Sequence, residues 1–79
     1  MSGNEAKLET IGQRAAYAVY QRCVQERTKR NVQLKKLGIS NTDFWRWEQG
    51  DHAPSAYFLQ KMAQDGYDIH WILTGEKHD

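Results

Sequence analysis

The segment from Gly38 to Gly50 constrains the fold of this chain more than any other. Gly38 can adopt the positive φ that ends one helix and begins a sharp turn. Ser40 is a favourable N-cap for the next helix, and Asp43 stands at the position of a capping-box partner. Gly50 is suited to end that helix. The segment therefore predicts the end of one helix, a tight turn and a short helix over residues 41–49.

The predicted short helix has two different faces. Phe44 and Trp47 lie three residues apart, so they share one face and should be buried. The outward face then consists of Asn41, Thr42, Trp45 and Arg46. A short helix that directs hydrogen-bonding side chains outward is typical of helices that read base edges in the DNA major groove.

Three motifs in order resemble the lambda-repressor-like helix-turn-helix superfamily, and within it the DNA-binding domains of small phage CI-type repressors. They are Gly-Ile-Ser-x-x-x-Phe-x-Arg-Trp-Glu-x-Gly at residues 38–50, Pro54-Ser55, and Asp-Ile-His-Trp-Ile-Leu-Thr-Gly-Glu at residues 68–76. The resemblance covers about residues 10–76. It implies an all-α, compact five-helix helix-turn-helix domain that binds a double-stranded DNA operator as a homodimer and represses transcription, either as a stand-alone phage or prophage regulator or as the DNA-binding part of a longer one.

The resemblance also implies which residues contact DNA. Asn41, Thr42 and Arg46 match base-contacting positions, and their side chains suit adenine, thymine and guanine respectively. Ser40 is expected to cap the helix and to contact a phosphate. Trp45 departs from the small or polar residue usual in this superfamily. It is expected to contact DNA, or equally to anchor a protein interface.

Charge is distributed unevenly along the chain. Residues 26–47 hold six basic and two acidic residues, and residues 48–79 hold two basic and six acidic ones. The basic part contains Arg27, Lys29 and Arg30, which match the entry to the second helix, where the superfamily meets a phosphate. Such asymmetry is expected where one face approaches DNA, although solvated helix ends give similar clusters.

Capping and breaking signals predict five helices and no strand. The first runs from Ile11, with Thr10 as its cap, to about Arg27. The second is capped by Thr28 or Asn31 and ends near Leu37. Pro54-Ser55 begins the fourth, which Gly66 ends. Asp68 caps the fifth, which covers residues 69–73 before Gly75. Residues 1–9 are expected to be a flexible N-terminal segment and residues 77–79 a tail.

Helical spacing predicts the core. Its expected members are Ile11, Ala15, Ala16, Val19, Tyr20, Cys23, Val24, Leu34, Leu37, Phe44, Trp47, Phe58, Leu59, Met62 and Ala63. Trp71 and Ile72 either complete it or form a surface for self-association. Gln33 stands where the superfamily has a small residue that lets the second and third helices cross closely. A shifted register or an opened helix pair is therefore expected there.

Other functional classes have little support. The single cysteine, Cys23, lies on the apolar stripe of the first helix, and the three histidines lack metal-ligand spacing. We therefore expect no enzyme activity, no cofactor, no metal and no small-molecule substrate. The chain lacks a signal-peptide pattern and an apolar run long enough for a membrane span, which favours a cytoplasmic protein. The main alternative is a protein-interaction module on the same fold, such as an antirepressor or antitoxin-like partner, which Trp45 and Asp43 favour.

Overall fold

Five helices follow one another along residues 8–76, the part of the chain that this computed structural model describes. They are α1 (Ile11–Glu26), α2 (Arg30–Leu37), α3 (Asn41–Gln49), α4 (Ala56–Gln64) and α5 (Ile69–Thr74). No strand occurs in this range, and the radius of gyration is 11.8 Å. The prediction of a compact all-α fold is confirmed. The predictions for residues 1–7 and 77–79 lie outside the described residues.

Local sequence determines most of the helix starts. Four predicted N-cap side chains accept a hydrogen bond from the backbone N–H three residues later: Thr10 at 3.1 Å, Ser40 at 3.0 Å, Ser55 at 3.5 Å and Asp68 at 3.0 Å. Each bond satisfies one of the donors that a helix start leaves without an intrahelical partner. Gly38 and Gly50 end α2 and α3 in the left-handed region, with φ of 76° and 85°. The boundaries predicted for α3 are confirmed.

The start of α2 differs from the prediction. Its N-cap is Lys29, which makes no side-chain capping bond. Asn31 lies inside the helix, and the Thr28 hydroxyl instead accepts a hydrogen bond from Gln33 Nε2 at 3.1 Å. Neither Thr28 nor Asn31 is the cap. Arg27 takes a left-handed conformation (φ 55°), and α2 begins at Arg30, one residue later than a Thr28 cap would require.

The helices enclose one hydrophobic core around α1. This helix packs against α2, α3 and α5, and α4 packs against α2 and α5. The buried hydrophobic side chains are Ala15, Ala16, Val19, Cys23, Leu34, Leu37, Ile39, Phe44, Trp47, Met62, Tyr67 and Ile72. Ile72 is thus a core residue, and Trp71 is half-buried against the core.

Three core predictions are wrong. Val24 is 78% exposed, and Tyr20 and Ala63 are also exposed. Val24 and Ala63 each follow a buried residue, Cys23 and Met62, and a single step rotates the side chain by about 100° around the helix. On both α1 and α4, the face that is buried is narrower than the apolar face that the sequence predicts.

A close backbone contact joins α1 to the end of α3. A Cβ placed on Gly12 would overlap the carbonyl oxygen of His52 and would lie 3.0 Å from the Trp47 Cα and carbonyl oxygen. Beside it, Gln13 Nε2 donates to the Glu48 carbonyl oxygen at 3.4 Å. Glycine is therefore required at position 12 by the distance between the two backbones, although its φ is ordinary.

Two polar side chains are buried without any sequence signal that predicted it. The Arg14 guanidinium donates to the carbonyl oxygens of Ile72 at 2.8 Å, Leu8 at 2.9 Å and Leu73 at 3.2 Å, so it joins α1 to the C-terminal end of α5. Cations are favourable at that end of a helix because its last carbonyls lack intrahelical donors.

Gln33, the second of these side chains, is buried against the end of α1. Its Nε2 donates to the Glu26 carboxylate at 2.9 Å as well as to Thr28. Gln33, which was expected to open the pair of α2 and α3, thus joins α2 to the end of α1. Its effect on the crossing of α2 and α3 stays a prediction.

No helix among residues 8–76 is long and apolar enough to cross a membrane.

Gly12→Ala should destabilise the fold although alanine is the better helix former. Propensity alone would add roughly 0.5–1 kcal/mol of stability, whereas the added methyl must displace backbone atoms of Trp47 and His52, at a cost of about 1–3 kcal/mol or more. Urea unfolding should show a net loss for Gly12→Ala and almost no change for Gln25→Ala, an exposed position on the same helix. If Gly12→Ala were as stable as the wild-type protein, α1 and α3 would not be in backbone contact.

Candidate functional site

The outward face of α3 carries the four residues that the sequence singled out. Asn41, Thr42 and Arg46 are exposed, and Trp45 is 56% exposed. On the opposite face Phe44 and Trp47 are 1% and 2% exposed. The predicted rotation of the helix is therefore confirmed, and the polar candidates share one solvent-facing surface.

Aromatic contacts fix that rotation. The Phe44 ring lies edge-on to Tyr20 of α1, with centroids 5.3 Å apart, and 6.1 Å from the Trp47 ring. Trp47 in turn meets Phe58 of α4 edge-on at 5.9 Å. Edge-to-face pairs stabilise such geometry beyond their apolar burial, so α3 is held between α1 and α4 with its outward face unobstructed.

Ser40 begins this surface at the N-terminus of α3. Its Oγ accepts the hydrogen bond from the Asp43 N–H, and its hydroxyl proton can still be donated to another group. The reciprocal capping-box bond, from the Ser40 N–H to the Asp43 carboxylate, is not formed in this part of the structure. Asp43 thus contributes its backbone N–H to the cap.

The basic residues predicted to contact phosphates surround the start of α2. Arg27 is the C-cap of α1, Lys29 is the N-cap of α2, and Arg30 is the first residue of α2; all three are exposed. Because no side chain caps α2, its first N–H groups remain free to bind an anion together with these cations.

Arg30 connects this basic cluster to α3. Its guanidinium carbon lies 5.7 Å from the centroid of the Phe44 ring, and interaction with the nearby Tyr20 hydroxyl raises the pKa of Arg30. Tyr20 also donates to the Glu48 carboxylate at 2.7 Å. Partial burial, and after it this bond to Glu48, raises the pKa of Tyr20. The Glu48 carboxylate thus has the Tyr20 hydroxyl as its hydrogen-bond partner.

One further cation near α3 escaped the sequence analysis. A Cβ placed on Gly38 would lie 3.5 Å from Lys61 Nζ, so this lysine of α4 reaches the turn between α2 and α3. Its ammonium group lies 5.4 Å from the ring of Tyr57, which is also exposed. Lys61 belongs to the acidic half of the sequence, and only the packing of α4 on α2 brings it to the turn. No local pattern could have identified it.

The opposite holds for Lys36, which the sequence counts with the basic half. Its Nζ lies 3.5 Å from Asp65 Oδ1, and Arg22 approaches the same carboxylate at 3.2 Å. The charge of Lys36 is therefore partly compensated by Asp65. Charge counts along the sequence overstate the contribution of Lys36 to a basic face.

A separate open groove of about 680 Å³ lies between α1 and the start of α5. Its lining includes Tyr17, Arg22, Tyr67 and Trp71. The Tyr17 and Trp71 rings lie 6.0 Å apart, and burial raises the pKa of Tyr67 to about 12. Among residues 8–76 no group of three or more His, Cys, Asp or Glu side chains could hold a metal ion.

Comparison of the chain with known protein families, with curated proteins and with solved structures gives no match. Functional inference therefore depends on the motifs in the sequence and on the geometry of α2, α3 and their basic neighbours.

The two tryptophans of α3 should respond differently to truncation. Trp45→Ala removes an exposed side chain and should change the free energy of unfolding by less than about 1 kcal/mol. Trp47→Ala removes a buried side chain and should cost about 3–5 kcal/mol. Thermal melts decide this, and a large loss for Trp45→Ala would mean that α3 is rotated from the orientation described above.

Proposed function

We propose that this chain is a sequence-specific double-stranded DNA-binding protein in which α2 and α3 form a helix-turn-helix unit. It binds its operator as a homodimer and represses transcription, as a phage or prophage repressor does. The observation that carries the proposal is the exposed polar face of α3, beside which basic residues of α2 and α4 lie. An operator is the only partner that this surface requires.

The shape of α3 suits the major groove. A helix with its side chains is about 10–12 Å across, which matches a groove about 12 Å wide. The nine residues of α3 give it a length of about 13 Å. Asn41 is suited to accept from and donate to adenine, and Arg46 to donate two hydrogen bonds to guanine. Thr42 can contact a thymine methyl or donate a hydrogen bond. These side chains read the sequence, together with Trp45.

The surrounding cations position the protein on the phosphates. Arg27, Lys29 and Arg30 act with the uncapped N-terminus of α2, and Ser40 donates its hydroxyl from the start of α3. Lys61 adds a contact from α4. Phosphate contacts of this kind supply affinity and register, and the base contacts of α3 supply specificity.

Dimerisation follows from the small size of this reading surface. One short helix contacts few base pairs, and two copies on adjacent half-sites multiply the specificity. On α5, Leu73 is exposed and Trp71 is half-buried, so this end of the domain offers apolar surface for a symmetric contact.

The exposed Trp45 also favours a second candidate function. A large exposed indole is typical of protein-binding hot spots, so α3 would then dock on a protein, as in an antirepressor or antitoxin-like module. Dependence on salt distinguishes the two functions, because DNA binding releases counterions from phosphates and a Trp-centred protein contact does not.

Affinity for duplex DNA should fall steeply as salt rises, with each neutralised phosphate adding roughly −0.9 to the slope of log K against log salt concentration. Lys61→Ala should make this slope less steep by about one such unit. Lys36→Ala is the matched control, since Lys36 is already paired with Asp65, and it should leave the slope almost unchanged. Absence of binding to any duplex at low salt, the DNA flanking its own gene included, would favour the protein-interaction module.

Arg46→Ala should separate reading from positioning. We expect a loss of about 1–3 kcal/mol on the best binding site, with relaxed preference at one base pair. Lys29→Ala and Arg30→Ala should weaken binding to cognate and random duplexes alike. Competition binding with both duplexes measures this difference. If Arg46→Ala lost the same affinity for the cognate and the random duplex, Arg46 would contact a phosphate and not a base.

A further inference from the structure

Trp45 lies at the centre of the exposed face of α3. Asn41 and Gln49, four residues to either side, are also exposed, so the indole stands between two polar side chains along the helix. It makes no ring or cation–π contact with any residue in the range 8–76. A partner that binds the middle of this face therefore contacts Trp45.

The chemistry of the indole restricts what it can recognise in the major groove. It offers one N–H donor, no acceptor and a large apolar surface. The base edges exposed in that groove are polar, with one exception, which is the C5 methyl group of thymine. A contact with the sugar-phosphate wall would suit a side chain at the margin of the face, and Trp45 lies at its middle.

We infer that Trp45 is a specificity-determining residue that reads a thymine methyl group; this inference rests on the proposed function. Asn41 and Trp45 are four residues apart, which is about 6 Å along a helix, and successive base pairs are about 3.4 Å apart. The thymine therefore lies one or two base pairs from the adenine that Asn41 contacts. The preferred half-site therefore contains both this thymine and this adenine.

Uracil substitution tests this contact directly, because deoxyuridine pairs as thymidine does and lacks only the methyl group. The best duplex is selected from a randomised library, and each thymine is then replaced singly. At one or two positions the wild-type Kd should rise about fourfold, the change expected when one buried methyl group is lost. Trp45→Ala should bind the uracil and thymine duplexes equally at those positions.

Two variants of neighbouring residues serve as controls. Gln49→Ala, on the same face, should retain the full sensitivity to uracil. Thr42→Ser removes the other methyl group that could meet a thymine, and it should also leave the sensitivity at the Trp45 position intact.

The outcomes separate the inference from the function on which it rests. Tight binding with no uracil position that changes the wild-type Kd would overturn the thymine contact and leave the DNA-binding function standing. If the sensitivity to uracil persists in Trp45→Ala and vanishes in Thr42→Ser, the methyl contact belongs to Thr42. That result would also overturn the inference about Trp45. Failure to select or bind any duplex would overturn the proposed function together with the inference.

Discussion

The backbone contact between Gly12 and the end of α3 is the constraint on which the rest of the structure depends. Because position 12 has no side chain, α1 approaches the backbone of Trp47 and His52 directly. At that distance Phe44 and Trp47 fill the space between α1 and α4 and give α3 a single rotation. The exposure of Asn41, Thr42, Trp45 and Arg46 is a consequence of that rotation. The candidate site is therefore built by the core beneath it.

Sequence reasoning succeeded where the cause is local. The bounds of α3 follow from the Ser40 cap and from Gly50, and its two faces follow from the spacing of Phe44 and Trp47. It failed where the cause lies in another helix. The hydrogen bonds of Arg14 to α5, and the position of Lys61 beside Gly38, depend on chain segments far apart in sequence. The start of α2 was missed because backbone conformation at Arg27 overrides the capping preference of Thr28.

The distribution of ion pairs changes how the charge of this protein should be understood. Asp65 at the end of α4 pairs with both Arg22 and Lys36, so a single carboxylate partly compensates two cations. Lys61, on the same helix, extends to the turn before α3. Arg30 is oriented by the Phe44 ring and the Tyr20 hydroxyl, and so the core that holds α3 also positions this guanidinium. Positive charge beside α3 results from packing as much as from composition.

The most direct test of this account is an NMR titration of the isotope-labelled chain with duplex DNA from the region flanking its own gene. The backbone amide signals of α3, of the turn at residues 38–40 and of residues 27–30 should shift together, while those of the groove between α1 and α5 should shift only where dimerisation affects them. Shifts confined to the Tyr17 and Trp71 groove, or no shifts with any duplex at low salt, would contradict it.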